Sequence, residues 1–211
     1  MVWNCQEAGS RKFRRALQDL VSSHRPSILI LLETWVEFAR EEDFAVSLGF
    51  SGSLIVDPIG FSGGIWFLWT TPDFHVTLLQ SSRQFIHASV CYRHEDPWLL
   101  TAIYASPTTT MRQSLWSALE QIATASSLPW LLVGDFNVIA DPSERCGELI
   151  ASSPLCRRFV NTIHACQLLD LGFVGSPFTF ARGTVRKRLD RGLCNEVWRT
   201  RFLEAFLRHM E

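Results

Sequence analysis

The stretch that decides the fold is Trp130-Leu131-Leu132-Val133-Gly134-Asp135-Phe136-Asn137. Its apolar run is too short for a helix and is closed by a glycine, which predicts a buried strand. A carboxylate and a carboxamide follow two positions apart, and on an extended chain such side chains point the same way. Aspartate can orient or deprotonate a water, and asparagine can donate to a phosphate oxygen. Gly, Asp and Asn are equally the ordinary residues of a tight turn. The tetrapeptide alone supports both readings.

Outward from it, the same habit recurs. The run Ile28–Leu32 is a second buried strand and ends on Glu33, a hard-oxygen ligand of the kind Mg²⁺ takes. Residues 2–5 read as a first strand in which Asn4 interrupts an apolar pattern, and a buried carboxamide needs a partner. Trp98–Tyr104 is a strand closing on a phenol just before Pro107. Asp190 lies in a strand between Arg188 and Arg191. Each has a plain alternative: a solvated strand end, a half-buried tyrosine, a surface salt bridge. Their common place at or near strand ends predicts that Asn4, Glu33, Tyr104, Asp135 and Asn137 gather at one mouth, with Asp190 on its rim.

The remaining pattern is a mixture of strands and amphipathic helices. Ser10 can cap a helix carrying Phe13, Leu17 and Leu20, helices are expected over 37–47, 111–124 and 154–166, and a short one over 197–207. Strands are expected over 64–69, 74–79 and 85–92 within a strand-rich region from 50 to 105. A hairpin joins 178–181 to 188–193. These elements predict one domain over 1–211, an α/β sandwich of two sheets flanked by helices.

Composition narrows the function. Eight Trp and fifteen Phe make disorder a poor description, and a net charge of -1 argues against a uniformly basic binder while leaving room for local basic clusters. Such clusters are Arg11, Lys12, Arg14 and Arg15, and the stretch holding Arg182, Arg186, Lys187, Arg188 and Arg191. Six cysteines without C-x-x-C spacing suit a reducing compartment. No secretory signal and no membrane-length apolar run is visible, so an intracellular protein, nuclear or cytoplasmic, is expected.

Five motifs in order, Trp3-Asn4-Cys5, Leu32-Glu33-Thr34, Ile103-Tyr104-Ala105-Ser106-Pro107, Gly134-Asp135-Phe136-Asn137 and Arg188-Leu189-Asp190, resemble those of the endonuclease/exonuclease/phosphatase superfamily, whose fold is DNase I-like. Phe178-Thr179-Phe180-Ala181-Arg182-Gly183 and Asn195-Glu196-Val197-Trp198-Arg199 are similar to the apurinic-type endonuclease domain of plant LINE-type retrotransposon polyproteins. The resemblance implies Mg²⁺, with Mn²⁺ as a substitute, held by Glu33 and Asn4. It implies that Asp135 deprotonates the attacking water, that Asn137 and Tyr104 hold the scissile phosphate, and that Asp190 orients a catalytic histidine. Arg182, Arg186, Lys187, Arg188 and Arg191 would contact DNA, with no other cofactor and a reverse transcriptase in cis. That histidine belongs to a terminal Ser-Asp-His strand, and none of the six histidines here follows an aspartate. The expectation is a fold lacking its last strand and a DNA-nicking activity that is weak or lost. The alternatives are a phosphomonoesterase of the same superfamily and a non-catalytic nucleic-acid-binding remnant. A further departure is Gln6-Glu7, where the family pattern has a basic residue and a glycine.

Overall fold

The apolar run Ile28–Leu32 is a strand in the computed structural model, which describes residues 1–60, 62–147 and 153–210. The chain divides into two compact units, Met1–Tyr104 and Ala105–Glu211. In the first, β1 (Val2–Asn4), β2 (Ile28–Leu32), β3 (Gly52–Val56) and β4 (Ile65–Trp69) form a sheet in the order β1-β2-β4-β3. β1 runs parallel to β2 and the other pairs are antiparallel. β4 is buried along its whole length, as an apolar run without alternation requires. One face of this sheet, with Leu29, Leu31, Trp66 and Leu68, takes Phe13 and Leu17 of α1 (Arg11–His24). Against β3 and β4 packs an antiparallel meander of β5 (Phe74–Ser82), β6 (Phe85–Tyr92) and β7 (Trp98–Tyr104).

Local chemistry starts and stops these elements. The Ser10 hydroxyl accepts the Phe13 N–H at 3.1 Å and caps α1 as expected. The helix expected over 37–47 is instead a 3₁₀ turn, Phe38–Arg40, and a short helix α2, Glu42–Ser47. The break falls at Glu41, which is buried and takes both Nε (3.0 Å) and Nη2 (2.7 Å) of Arg14. A bidentate pair reached from another element outweighs helix continuity here.

The ends of β1 and β2 are spliced by backbone bonds. Cys5 N–H donates to Leu32 O at 2.9 Å, Glu7 N–H to Glu33 O at 3.0 Å, and Ala8 N–H to Thr34 O at 2.8 Å. Thr34 is fully buried under Gly64, where an added Cβ would lie 2.1 Å from Thr34 Oγ1, so only glycine fits. Following these bonds forces the chain into left-handed backbone at Gln6 (φ 46), Glu7 (φ 98), Glu33 (φ 56) and Trp35 (φ 56).

The second unit contains α3 (Thr109–Ala125), β8 (Trp130–Asp135), β9 (Arg145–Cys146), α4 (Ser153–Ala165), β10 (Leu168–Asp170), β11 (Phe180–Arg182), β12 (Val185–Lys187), β13 (Asp190–Asn195) and α5 (Glu196–Arg201). β13 lies between β10 and β8, antiparallel to both, and β11, β12 and β9 form a separate small sheet. The expected hairpin is therefore displaced: β12 turns back onto β11, while 190–195 joins the larger sheet. The expected helix over 197–207 stops at Arg201, because the chain beyond it is drawn into a bridge where Val174 N–H donates to Leu207 O and His209 N–H to Val174 O.

A buried ion network ties this unit together. Arg191, 1% exposed, donates Nη2 to Glu144 Oε2 at 2.6 Å and Nη1 to Asp170 Oδ2 at 2.9 Å. Arg188 spans the same two acids, at 2.9 Å to Glu144 Oε1 and 2.7 Å to Asp170 Oδ1. Burial works against the charged form of Glu144, but the hydrogen bond and field of Arg191, with that of Arg188, outweigh it and lower its pKa. Asp170 behaves alike, burial being overcome by Arg188 and Arg191.

Three outcomes follow for stability. Glu144→Gln leaves two buried guanidinium groups short of charge and should cost about 3 kcal/mol in denaturant unfolding. Glu7→Gly should raise stability by about 1 kcal/mol in the same assay, because glycine accepts φ 98 and the gain exceeds its extra unfolded-state entropy. His87 is buried with its Nδ1 2.8 Å from Thr101 Oγ1, and burial pushes its pKa down to about 4. Below an unfolded pKa of about 6.5 the unfolded chain takes a proton that the folded one refuses, so stability falls as pH drops from there toward 4. The loss from pH 7 to pH 5 should be about 2 kcal/mol and should disappear in His87→Gln. A flat pH profile for the parent protein would show that folding leaves the proton affinity of His87 unchanged.

Candidate active site

In the first unit, β1 and β2 end side by side, with Asn4 opposite Leu32 in register. This places Asn4 Nδ2 2.8 Å from Glu33 Oε1, so the carboxamide donates to the carboxylate and fixes its orientation. Glu33 is half-buried, and its carbonyl is held by Glu7 N–H, so its position is set from both main chain and side chain. A non-glycine residue in left-handed backbone costs about 1–3 kcal/mol and persists only where its surroundings dictate it. Tyr104, at the end of β7, is 7% exposed, with its backbone N–H on Gln84 O at 2.8 Å.

Asn4 and Glu33 suit a hard cation. One carboxylate and one carboxamide oxygen are what Mg²⁺ uses when it keeps most of its waters. Among the described residues no cluster of three or more His, Cys, Asp or Glu is arranged to hold a metal, which sets this pair apart from a zinc or calcium cage.

In the second unit, Asp135 is the last residue of β8 and is 4% exposed. The strand reaches it through Gly134 at φ 137, a backbone shape that glycine takes at no steric cost. Asn137, at φ 50, folds back so that its N–H reaches Asp135 Oδ1 at 2.7 Å. That is the tight Asx-type turn the tetrapeptide allows, and it is also what aims the carboxylate. Asn137 Nδ2 donates to Ala105 O at 2.8 Å and to Asp135 Oδ2 at 3.3 Å, so both of its N–H groups are turned inward. Asp190 lies directly across the ladder from Asp135, which puts the two carboxylates on one face of the sheet. Thr179 Oγ1 accepts the N–H groups of Leu189 and Asp190 at 3.0 Å each and fixes the entry to β13.

Two groups of residues here escape a reading of local pattern. Arg112 is 5% exposed, donates Nη1 to Ser106 O at 2.7 Å and Pro107 O at 3.0 Å, and so buttresses the Ala105–Pro107 segment that Asn137 holds. Burial lowers its pKa while the Asp135 charge works in the opposite direction. Its signal was an arginine on the stripe of Leu115, Trp116, Leu119 and Ile122, all buried on α3. Glu144 and Asp170 are the other pair, and they explain where Arg188 and Arg191 go. Those arginines, grouped by sequence with the surface cations, are buried at 6% and 1% exposure and are engaged by acids. Arg182 and Arg186 are exposed and Lys187 is half-buried. His209, the histidine nearest the end of the sequence, donates Nδ1–H to Ser176 O at 2.6 Å and stacks on Phe173. Arg11, Lys12 and Arg15 line a shallow depression on the first unit, whereas Arg14 is committed to Glu41. No described helix is long and apolar enough to cross a membrane.

A 3′ phosphatase from Neisseria, NExo, solved with a product DNA hairpin, superimposes with a TM-score of 0.69 at 19% identity, over 92% of this chain and 85% of that one. The endonuclease domain of TRAS1, a telomere-specific non-LTR retrotransposon, gives 0.66 at 12% identity, over 92% and 84%. The AP endonuclease LMAP from Leishmania major gives 0.70 at 16% identity, over 93% and 78%. At these identities the likeness is one of fold, and it bears out the two-sheet α/β architecture expected from the sequence. No curated protein matches the chain in sequence. The sequence profile of the Endonuclease/Exonuclease/phosphatase family, however, matches residues 1–210, and the chain belongs to that family.

Proposed function

We propose that this chain is a Mg²⁺-dependent phosphodiesterase domain that nicks DNA, of the kind carried by plant LINE-type retrotransposons. One observation carries the reading. Glu33 and Asn137, each in a motif shared with the family, are both held in left-handed backbone by local bonds that aim a carboxylate: that of Glu33 itself, and that of Asp135. Strain of this kind is retained where function needs the geometry. The fold likeness to the TRAS1 endonuclease domain and the Phe178–Gly183 motif support the retrotransposon origin.

The roles follow residue by residue. Glu33 and Asn4 hold the cation, which when bound neutralises charge developing on the phosphate. Asp135 accepts the proton of the attacking water as its oxygen bonds to phosphorus and the P–O3′ bond breaks, and the departing 3′-oxygen takes a proton from solvent to become the 3′-hydroxyl. Tyr104 donates to a non-bridging oxygen. Asn137 keeps Asp135 aimed, and its 3.3 Å N–H, the longer of its two bonds, is the one that can turn to the phosphate. Asp190 orients the histidine of the family's Ser-Asp-His motif. Residues 1–211 contain no Ser-Asp-His, so this stretch by itself nicks slowly or not at all. The phosphomonoesterase alternative draws on the fold shared with the Neisseria 3′ phosphatase.

Supercoiled-plasmid nicking tests the proposal. With Mg²⁺, the 211-residue protein should be at or near background, and a version extended by a family-like strand bearing Ser-Asp-His should be active. In that version Asp135→Asn should cut turnover at least about 10²-fold without changing the circular dichroism spectrum. Glu33→Gln should raise the Mg²⁺ concentration at half-maximal rate. Undiminished nicking by Asp135→Asn would sink the mechanism. Phosphate release from a 3′-phosphorylated duplex without plasmid nicking would move the assignment to the phosphomonoesterase.

A further inference from the structure

The small sheet of the second unit carries a charge arrangement that the reaction does not use. β12 and β9 are paired so that Lys187 stands directly opposite Arg145. Residues opposite one another on antiparallel strands share a face, and like charges there repel. The neighbouring positions on the other face differ. Arg188 N–H donates to Glu144 O at 3.0 Å, continuing the ladder, but Arg188 is neutralised by Glu144 and Asp170. Those acids are fully committed to Arg188 and Arg191, and Asp141 turns its carboxylate to Ser143 N–H at 2.9 Å. Among the described residues neither Arg145 nor Lys187 has an ion-pair partner.

The face is also partly dry. Phe180, opposite Lys187 on β11, packs on Ile139, Cys156 and Leu189, and the Lys187 ammonium lies 5.9 Å from its ring centroid. Arg145 Nε is buried and has no hydrogen-bond acceptor among the described residues. Burial, followed by the Arg145 charge, lowers the Lys187 pKa. Two half-buried cations opposite one another, one of them over an aromatic ring, are unfavourable alone and favourable around an anion. A tetrahedral oxyanion satisfies both, taking the planar fork of Arg145 and the point charge of Lys187.

We infer that Arg145 and Lys187 form a seat for a phosphate-type oxyanion on the β11-β12-β9 sheet. On the DNA-nicking reading, on which this choice of source rests, the anion is a backbone phosphate of the duplex away from the cleaved bond. The seat then adds register and affinity and no chemistry. Arg186, across from Cys146 on the opposite face, is not part of it.

The test uses the 211-residue protein and needs no turnover. Binding of a fluorescent duplex is measured by anisotropy across a salt series for the parent, Arg145→Gln, Lys187→Gln and Arg83→Gln, an exposed arginine on the β5–β6 turn. Each seat variant should weaken binding several-fold and flatten the log K against log salt slope by about 0.9, the value for one released counterion. Arg83→Gln should match the parent. In parallel, thermal unfolding is followed with and without inorganic phosphate. Phosphate should raise the midpoint of the parent more than that of either seat variant, and each variant should melt no lower than the parent without phosphate, because removing one charge relieves the repulsion. Loss of the slope identifies a backbone phosphate. A phosphate-dependent midpoint with unchanged DNA slopes keeps the seat and assigns it to the free ion. Equal slopes together with equal phosphate shifts in parent and variants overturn the inference. Failure of the nicking proposal is read separately, from Asp135→Asn in the extended protein.

Discussion

The second unit depends on a guanidinium with no access to water. Arg191 sits between Glu144 and Asp170, with the Phe159 ring 5.3 Å from its centre, and Arg188 completes the square with Phe173 at 4.7 Å. Glu144 precedes β9, Asp170 ends β10 and the arginines lead into β13, so one network joins three strands that no turn connects. Taking two guanidinium charges out of water is costly, and the network is tolerable only because each oxygen of the partly exposed Glu144 and Asp170 carboxylates meets a guanidinium N–H. What it secures is position. With β13 pinned at this end, its register on β8 sets Asp190 across from Asp135, and the end of β12, next to Arg188, pairs with β9 in the small sheet.

The first unit reaches the same end by a different route. Glu33 is placed by backbone bonds between two successive loops, and the clearance for Thr34 beneath Gly64 keeps those loops in contact. The cost is left-handed backbone at non-glycine residues, including Glu7, where the family pattern has glycine. Strain at Glu33 carries structural weight because the carboxylate it orients is tied to Asn4. Strain at Glu7 carries none that its exposed side chain explains, and it marks a substitution the loop absorbs.

Much of this was legible in the sequence because burial leaves a simple trace there. β2, β6 and β7 fall where continuous or alternating apolar runs place them, and Ser10 caps α1 as its position before the amphipathic run requires. The Gly134–Asn137 stretch was legible as a turn, and its N–H to carboxylate bond forms one. What was hidden is what depends on partners distant along the chain. Arg188 and Arg191 looked like surface cations because their acids lie 44 and 47 residues away at Glu144, and 18 and 21 away at Asp170. The helix over 37–47 broke because Arg14, 27 residues off, captured Glu41. Local periodicity carries no record of such pairs.

The formal charge of -1 is a sum over unequal local environments, and the local field matters more than the sum. In the second unit, Asp135 is buried and two further acids are engaged by buried arginines. Glu144 and Asp170 neutralise Arg188 and Arg191, and Asp190 stands across the ladder from Asp135. Four cations of that unit, Arg145, Arg182, Arg186 and Lys187, lie on the short strands β9, β11 and β12, the first and last half-buried and the other two exposed. A near-neutral total thus coexists with a local group of cations on these strands, while Glu144 and Asp170 are taken up by the arginines that fold the unit. Attraction to a phosphate backbone depends on this local field, over a Debye length of about 8 Å at physiological salt, and not on the formal sum.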